Sequence, residues 1–395
     1  VKNFCVLPFN SVSINALGSL RPCCNSTSDL DYHINNGDTH GIINNAAIQE
    51  VRNSFLKDEQ DEKCSRCWNI EKISNSSFRH VANNDANHGL KSVIPIRYEK
   101  EVQYEDIQYL DITLGNKCNL ACRMCNQYSS SLLAIQLKDM GMISGDTFID
   151  FDRKSKDKIL DLINKSTNLN SLYLLGGEPL INEFHDEIVD LLVQKDRAKN
   201  ITVHYSTNLQ IDIEKYLGNW ERFKFVDLSI SIDGTGSTYE YIRWPGKWKK
   251  VKANLSRVYE FRKALKFNPS IATTIQNLNA NNIYDLITEC YDLANGPTPF
   301  FFIPVTGGYY LEMTPAHILE SEISKLETLQ DPNNRVEELI KHYKESIIKS
   351  KNLNHSTVEY FFNSQQRFDE YRKQNLFATL PYFLELANKF KITQW

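Results

Sequence analysis

Cys118, Cys122 and Cys125 stand in the spacing C-x3-C-x2-C, within the run LGNKCNLACRMC that begins at Leu114. Two centres suit thiolates placed this closely. Three of them can hold three irons of a [4Fe-4S] cluster and leave the fourth iron open to a ligand, which makes a site reactive and not merely structural. The amine and carboxylate of an amino acid could chelate that iron. The other centre is Zn2+, whose structural sites want four ligands; no histidine or fourth cysteine stands nearby in sequence.

A second set lies near the start of the chain. Cys5 and Cys23 frame a C-x12-G-x4-C pattern around Gly18, and Cys64-Ser-Arg-Cys67 follows. These four thiols suit a second iron–sulfur cluster or a four-cysteine zinc site, for which C-x2-C is a common half-site. Cys24, directly after Cys23, is a spare ligand, a hydrogen-atom donor or a small buried hydrophobe. Cys290 lies alone in a helical pattern and reads as core. In a reducing compartment, nine cysteines are read first as ligands or catalytic thiols and not as disulfides.

The elements that must position these groups follow from periodicity. Apolar runs over 108–114, 169–175, 201–206, 225–232, 269–275 and 299–305 alternate with helix-length amphipathic stretches such as 182–193, 248–265 and 281–293. Six such βα units predict an α/β fold, a partial (βα)6 barrel with a parallel sheet. In folds of this kind chemistry gathers where strands end, and the motifs stand there. The cysteine run follows the first strand and Gly176-Gly177-Glu178-Pro179 the second; Tyr205-Ser-Thr-Asn208 closes the third and Ser231-Ile-Asp233-Gly234 the fourth, with Arg243 soon after. Two glycines at a strand end let backbone approach a ligand, and Glu178 or nearby carbonyls can accept from an ammonium group. Beyond Val305 the pattern turns helical, with an apolar stripe of Val336, Leu339, Ile340, Tyr343 and Ile347. The aromatics Tyr360, Phe361, Phe362, Phe368, Tyr371 and Phe377 read as core.

C-x3-C-x2-C after a first strand with GGEP after the second resembles the radical S-adenosylmethionine (SAM) superfamily over about residues 105–305. The resemblance implies a [4Fe-4S] cluster on Cys118, Cys122 and Cys125. It places the methionyl amine of SAM at Gly176, Gly177 and Glu178, the ribose near Asn208, and the methionyl carboxylate at Ser231 and Arg243; Asp233 is a further cofactor-binding candidate or forms a turn with Gly234. Arginine suits a carboxylate through paired donors. Many family members carry an aromatic residue before the third cysteine; here it is Met124, whose thioether can pack on an adenine face. The pattern of Cys5, Cys23, Cys64 and Cys67 is similar to the SPASM or twitch module, which implies a second, auxiliary [4Fe-4S] cluster. Such modules normally follow the barrel, whereas this one precedes it. The implied activity is reductive cleavage of SAM to methionine and a 5′-deoxyadenosyl radical that abstracts a substrate hydrogen, with flavodoxin or ferredoxin as reductant. Enzymes with these modules most often act on peptides or proteins. Oxidation or rearrangement of a sugar, alcohol or nucleotide is an alternative, as is a non-catalytic electron-transfer protein.

With 395 residues the chain accommodates a small N-terminal iron–sulfur module and linker (1–95), the barrel (96–306) and a helical C-terminal extension (307–395). A net charge of -4 gives no bulk attraction to nucleic acid or anionic membrane. No run of eighteen apolar residues and no secretory pattern at the start is found, so the expectation is a cytoplasmic protein. Tyr128, His204 and Tyr205 are ordinary residues until a pocket places them, and no acid or base is assigned among them.

Overall fold

The computed structural model describes residues 2–72, 77–84, 99–262, 266–305, 308–331 and 334–392. Both expected domain boundaries, at 95/96 and 306/307, and most of the expected linker over 81–95 lie outside the described residues. The six expected strands are present as β3 (Tyr109–Thr113), β4 (Ser171–Leu175), β5 (Thr202–Thr207), β6 (Phe225–Ser231), β7 (Phe267–Ile275) and β8 (Phe300–Pro304). Two further strands, β1 (Ser11–Ile14) and β2 (Leu20–Arg21), come from the cysteine-rich N-terminal segment. The strand order is β2-β1-β3-β4-β5-β6-β7-β8. Apart from the antiparallel β1–β2 pair, the described pairings are parallel. This mostly parallel α/β sheet fits a partial barrel, widened on one side by the N-terminal strands.

The chain divides into two compact units. The first comprises Val1–Cys118, Phe148–Ser206 and Glu214–Asp227. In it β1 lies parallel to β3, with Ser13 opposite Asp111, and β3 lies parallel to β4, with Asp111 opposite Tyr173. The turn between β1 and β2 needs Gly18, whose φ is 82° and whose missing Cβ would stand 2.5 Å from His33 Nε2. Helix Arg153–Lys165 starts at Asp152, whose carboxylate accepts from Ser155 N at 2.7 Å, and buries Ile159, Leu162 and Ile163. Helix Glu183–Gln194 starts at Asn182 and buries Phe184, Ile188, Val189 and Leu192.

The second unit comprises Asn119–Thr147, Thr207–Ile213 and Leu228–Trp395. Its core joins Tyr241, Ile242 and Leu278 to Val358, Phe361, Phe362 and Phe383. The C-terminal helix His355–Arg372 buries Phe361, Phe362, Gln365, Phe368, Asp369 and Arg372 on one face. Tyr360 and Tyr371 fall on its other face, 64% and 41% exposed, so the aromatic cluster expected as core is only partly so. Three helical turns separate those two tyrosines, which puts them on the same outward stripe. No helix among the described residues is long and apolar enough to cross a membrane.

Candidate functional site

In the first unit, the loops leaving β3 and β4 are locked together through backbone. Asn116 N donates to Ile149 O (3.0 Å), and its side-chain oxygen accepts from Ile149 N (2.8 Å). Gly177 N reaches Gly115 O at 3.2 Å and Glu178 N reaches Lys117 O at 2.8 Å. A Cβ on Gly177 would fall 2.4 Å from Lys117 O and 2.6 Å from Asn116 O. The second glycine of the GGEP turn therefore admits the backbone just before Cys118, a use of its bareness that the sequence reading assigned to a ligand. Glu178 is buried and its carboxylate accepts from Leu180 N at 3.3 Å.

In the second unit, the run carrying Cys122 and Cys125 is pinned at alternate residues. Ala121 N donates to Trp244 O (2.7 Å) and Arg123 N to Ile242 O (2.9 Å). The buried Arg123 guanidinium binds Tyr241 O, Gln365, Gln374 and Asp369 (2.5 Å) and stacks 3.7 Å from the Tyr241 ring centre. Tyr309 OH donates to Arg123 O, and Arg372 donates to Ala121 O (2.6 Å). Met124 is half-buried and packs against the C-terminal core. Burial pushes the Cys125 thiol upward, against the Asn126 backbone and the Arg243 charge. Arg243 donates to Asp233 at 2.7 Å and reaches the Cys122 sulfur at 3.9 Å. Burial works against its charge, but Asp233 and then Cys122 outweigh that cost, so the guanidinium stays protonated. Asp233 also accepts from Thr274 N at 2.7 Å. Asn208 donates to Asn119 (2.8 Å) and accepts from Gln210 N (2.8 Å). Ser231, half-buried, ends β6.

The four N-terminal thiols meet. Cys5, Cys23, Cys64 and Cys67 line one small cavity with Phe55, Asn25 and Arg79. Each of the four lies within electrostatic reach of the other three. Burial pushes Cys5 up to about 12 and Cys23 up to about 12, and raises Cys64 as well. Asn25 Nδ2 donates to the Cys67 sulfur at 3.5 Å. Among the described residues no three His, Cys, Asp or Glu side chains converge as the ligands of one metal ion do. Three buried thiols and the half-buried Cys64 around one shared space supply the four ligands that an iron–sulfur cluster or a Zn2+ ion requires.

Two stretches of the chain match known family models. Residues 112–287 match the family model described as the radical SAM superfamily, and residues 5–68 match the SPASM iron–sulfur cluster-binding domain. Residues 112–287 are thus a radical SAM domain and residues 5–68 a SPASM module that precedes it, and the radical SAM superfamily is one of enzymes that carry a [4Fe-4S] cluster and SAM. A GTP 3′,8-cyclase from Clostridium perfringens is 26% identical over 240 residues, covering 59% of this chain and 67% of that protein. Among solved structures, native anSMEcpe with bound AdoMet is 18% identical with a TM-score of 0.39, covering 55% of this chain and 57% of that one. Streptococcus suis SuiB bound to S-adenosylmethionine is 14% identical with a TM-score of 0.37, covering 75% and 63%. The chain thus spans less than two thirds of either solved protein.

The first unit also gathers polar residues to which the sequence assigned no role. On β3 the buried Asp111 accepts from Ser13 Oγ and from Tyr109 OH, each at 3.3 Å, and from the Cys24 thiol. Opposite it Tyr173 OH meets Ser206 Oγ at 3.2 Å, and His204 bridges Ser171 (3.0 Å) and Asp227 (3.0 Å). Cys24, Tyr173, Ser206 and Asp227 are only half-buried, so this polar face is partly open. Strand alternation was the available signal: His204 and Ser206 share a face. Tyr205 points the other way, to His185 at 3.0 Å and Trp220. Tyr128 is 56% exposed and Cys290 is fully buried. In the second unit, Ser229 borders a cavity of about 520 Å³ with Phe301, Phe302, Ile303, Pro304, Arg335 and His342.

Proposed function

We propose that the chain reductively cleaves SAM at a [4Fe-4S] cluster held by Cys118, Cys122 and Cys125, and uses a second cluster on Cys5, Cys23, Cys64 and Cys67 to move electrons. The gathering of the four N-terminal thiols around one cavity carries this reading. When bound, cluster and SAM supply the 5′-deoxyadenosyl radical that takes a substrate hydrogen. The chain's own residues position and shield. Arg243 presents a fixed cation beside Cys122, suited to the methionyl carboxylate near Ser231. Gly176, Gly177 and Glu178 offer the methionyl amine backbone carbonyls and a carboxylate, Asn208 serves the ribose, and Asp233 holds Arg243 in place. Flavodoxin or ferredoxin is the proposed reductant and the cytoplasm the proposed location.

The proposed substrate is a peptide or protein. Supporting it, β8 ends the strand order, and its Phe301 and Ile303 are 46% and 52% exposed beside the 520 Å³ cavity. An open strand edge flanked by apolar side chains is how an extended peptide is commonly taken up. The second reading, a nucleotide, is favoured by the identity to a GTP 3′,8-cyclase.

Iron, sulfide and EPR measurements on anaerobically reconstituted protein test the central reading. About eight irons should fall to about four in a C118A/C122A/C125A variant, which should also lose 5′-deoxyadenosine formation. About four falling to none would leave the N-terminal thiols without iron. Stimulation of SAM cleavage by GTP, and not by a panel of capped oligopeptides, would replace the peptide reading with the nucleotide one.

A further inference from the structure

Arg79 lies beyond the segment matched as the SPASM domain, on the short helix Phe78–Asn84, yet its side chain lines the four-thiol cavity. It is only 7% exposed and uses its donors in every direction. Nε and Nη2 pair with the two oxygens of Glu71 at 3.0 and 2.8 Å, and Nη1 donates to Phe4 O at 2.8 Å and Lys2 O at 3.2 Å. The guanidinium carbon sits 4.8 Å from the Trp68 ring centre. Asn83, one turn on, accepts from Val6 N at 2.9 Å and donates to Phe4 O at 2.8 Å. The backbone on both sides of Cys5 is thus held by one helix, and Glu71 and Trp68 tie that helix to the segment carrying Cys64 and Cys67.

Four thiolates around a [4Fe-4S]2+ core leave a buried net charge of about −2, and one-electron reduction makes it more negative. A cation at the cavity wall stabilises the reduced form more than the oxidised one, and burial strengthens that preference. Glu71 offsets part of the charge, but Arg79 lines the cavity and Glu71 stands behind it, so the pair presents its positive end to the thiols. Resting on the reading of these cysteines as a cluster site, we infer that Arg79 is a positioning and potential-setting residue: it fixes Cys5 and raises the reduction potential of the N-terminal cluster.

The test uses full-length, anaerobically reconstituted protein carrying C118A/C122A/C125A, so that the remaining iron signal belongs to the N-terminal site, followed by EPR redox titration. Arg79→Met keeps the stem over Trp68 and removes the charge. It should retain about four irons while its midpoint potential falls by at least a tenfold change in the oxidised-to-reduced ratio, about 59 mV for one electron. Glu71→Gln should shift the potential the opposite way, and Arg79→Lys should stay near wild type. Opposite shifts from the two partners are not produced by loss of packing. Equal potentials in all four proteins would overturn the inference while leaving the cluster intact; iron loss in both Arg79→Met and Arg79→Lys would reduce the arginine to a structural clamp and overturn the electrostatic role. Absence of iron from the triple-alanine parent would instead overturn the cluster reading, and this inference with it.

Discussion

Asp111 is a carboxylate held by neutral donors. Ser13, Tyr109 and Cys24 hydrogen-bond to it, and Arg21 is the cation whose charge reaches it. Burial outweighs these contacts and pushes its carboxyl from the ordinary 3.8 up to about 6. The folded protein therefore binds a proton that the unfolded chain has already released between those values. Stability is greatest below about pH 4 as far as this group is concerned, declines as pH rises toward 6, and is then level. Cys24, Tyr109 and Tyr173, all raised by burial, stay protonated across that window. Replacing Asp111 with Asn should increase the urea-unfolding free energy at pH 8 by on the order of 2 kcal/mol, with most of the gain gone at pH 4. An equal effect at both pH values would refute the titration. Arg243 gives the converse case: Arg243→Ala would leave Asp233, fully buried, without its cation and cost about 3–5 kcal/mol. Arg243→Lys keeps the charge but not the paired donors. It should hold normal iron and bind SAM at least tenfold more weakly by equilibrium dialysis; unchanged affinity would remove Arg243 from the cofactor site.

Among elements, helix His355–Arg372 buttresses the cysteine run. Asp369 pairs with Arg123 at 2.5 Å and accepts from Leu376 N at 2.6 Å, and Arg372 holds Ala121 O. Asp369→Ala strands the Arg123 charge in the core, at about 3–5 kcal/mol. The resulting loss of iron should be confined to the Cys118, Cys122 and Cys125 cluster, leaving about four irons on the N-terminal thiols; a uniform loss from both sites would mean global unfolding. This buttress was not legible in the sequence, because contacts more than two hundred residues apart leave no local pattern. The six barrel strands were legible, since apolar runs between helix-length stretches specify a buried parallel sheet whatever their partners. Strand β1 was not: Ser11-Val-Ser-Ile is short and half polar, and it pairs with β3 across nearly a hundred residues. The cysteine sets could be read because ligand spacing is local. Asp111 could not, because an acid in Tyr-Leu-Asp-Ile-Thr looks like an interruption until register puts it opposite Ser13 and Tyr173. The Arg243–Asp233 pair shows the same limit, since each residue was recognised singly and their union needed the turn after β6.

For the whole molecule, the thiols are part of the stability problem as well as of the chemistry. Cys5, Cys23, Cys64 and Cys125 are all pushed upward by burial, so the iron-free protein keeps them as neutral thiols in its interior. Iron ligation requires thiolates, so cluster assembly releases protons and should proceed further at pH 8.5 than at pH 6.5. The ligand set exists in the folded state and not in the open chain, so the clusters bind the native form preferentially and stabilise it by mass action. Stripping iron and sulfide anaerobically should therefore lower the midpoint of thermal unfolding. A coupling of only about 3 kcal/mol corresponds to about 6–12 °C for a cooperative domain of about 150–250 residues. Differential scanning fluorimetry of as-reconstituted, stripped and re-reconstituted protein measures it. The C64S/C67S variant separates the contributions: it keeps the radical SAM cysteines and should lose only the share contributed by the N-terminal cluster, with hydrogen exchange rising in residues 5–68 while the helix His355–Arg372 stays protected. Equal exchange in both regions would mean that the N-terminal thiols do not stabilise their own surroundings, and that their burial rather than their ligation holds that segment together.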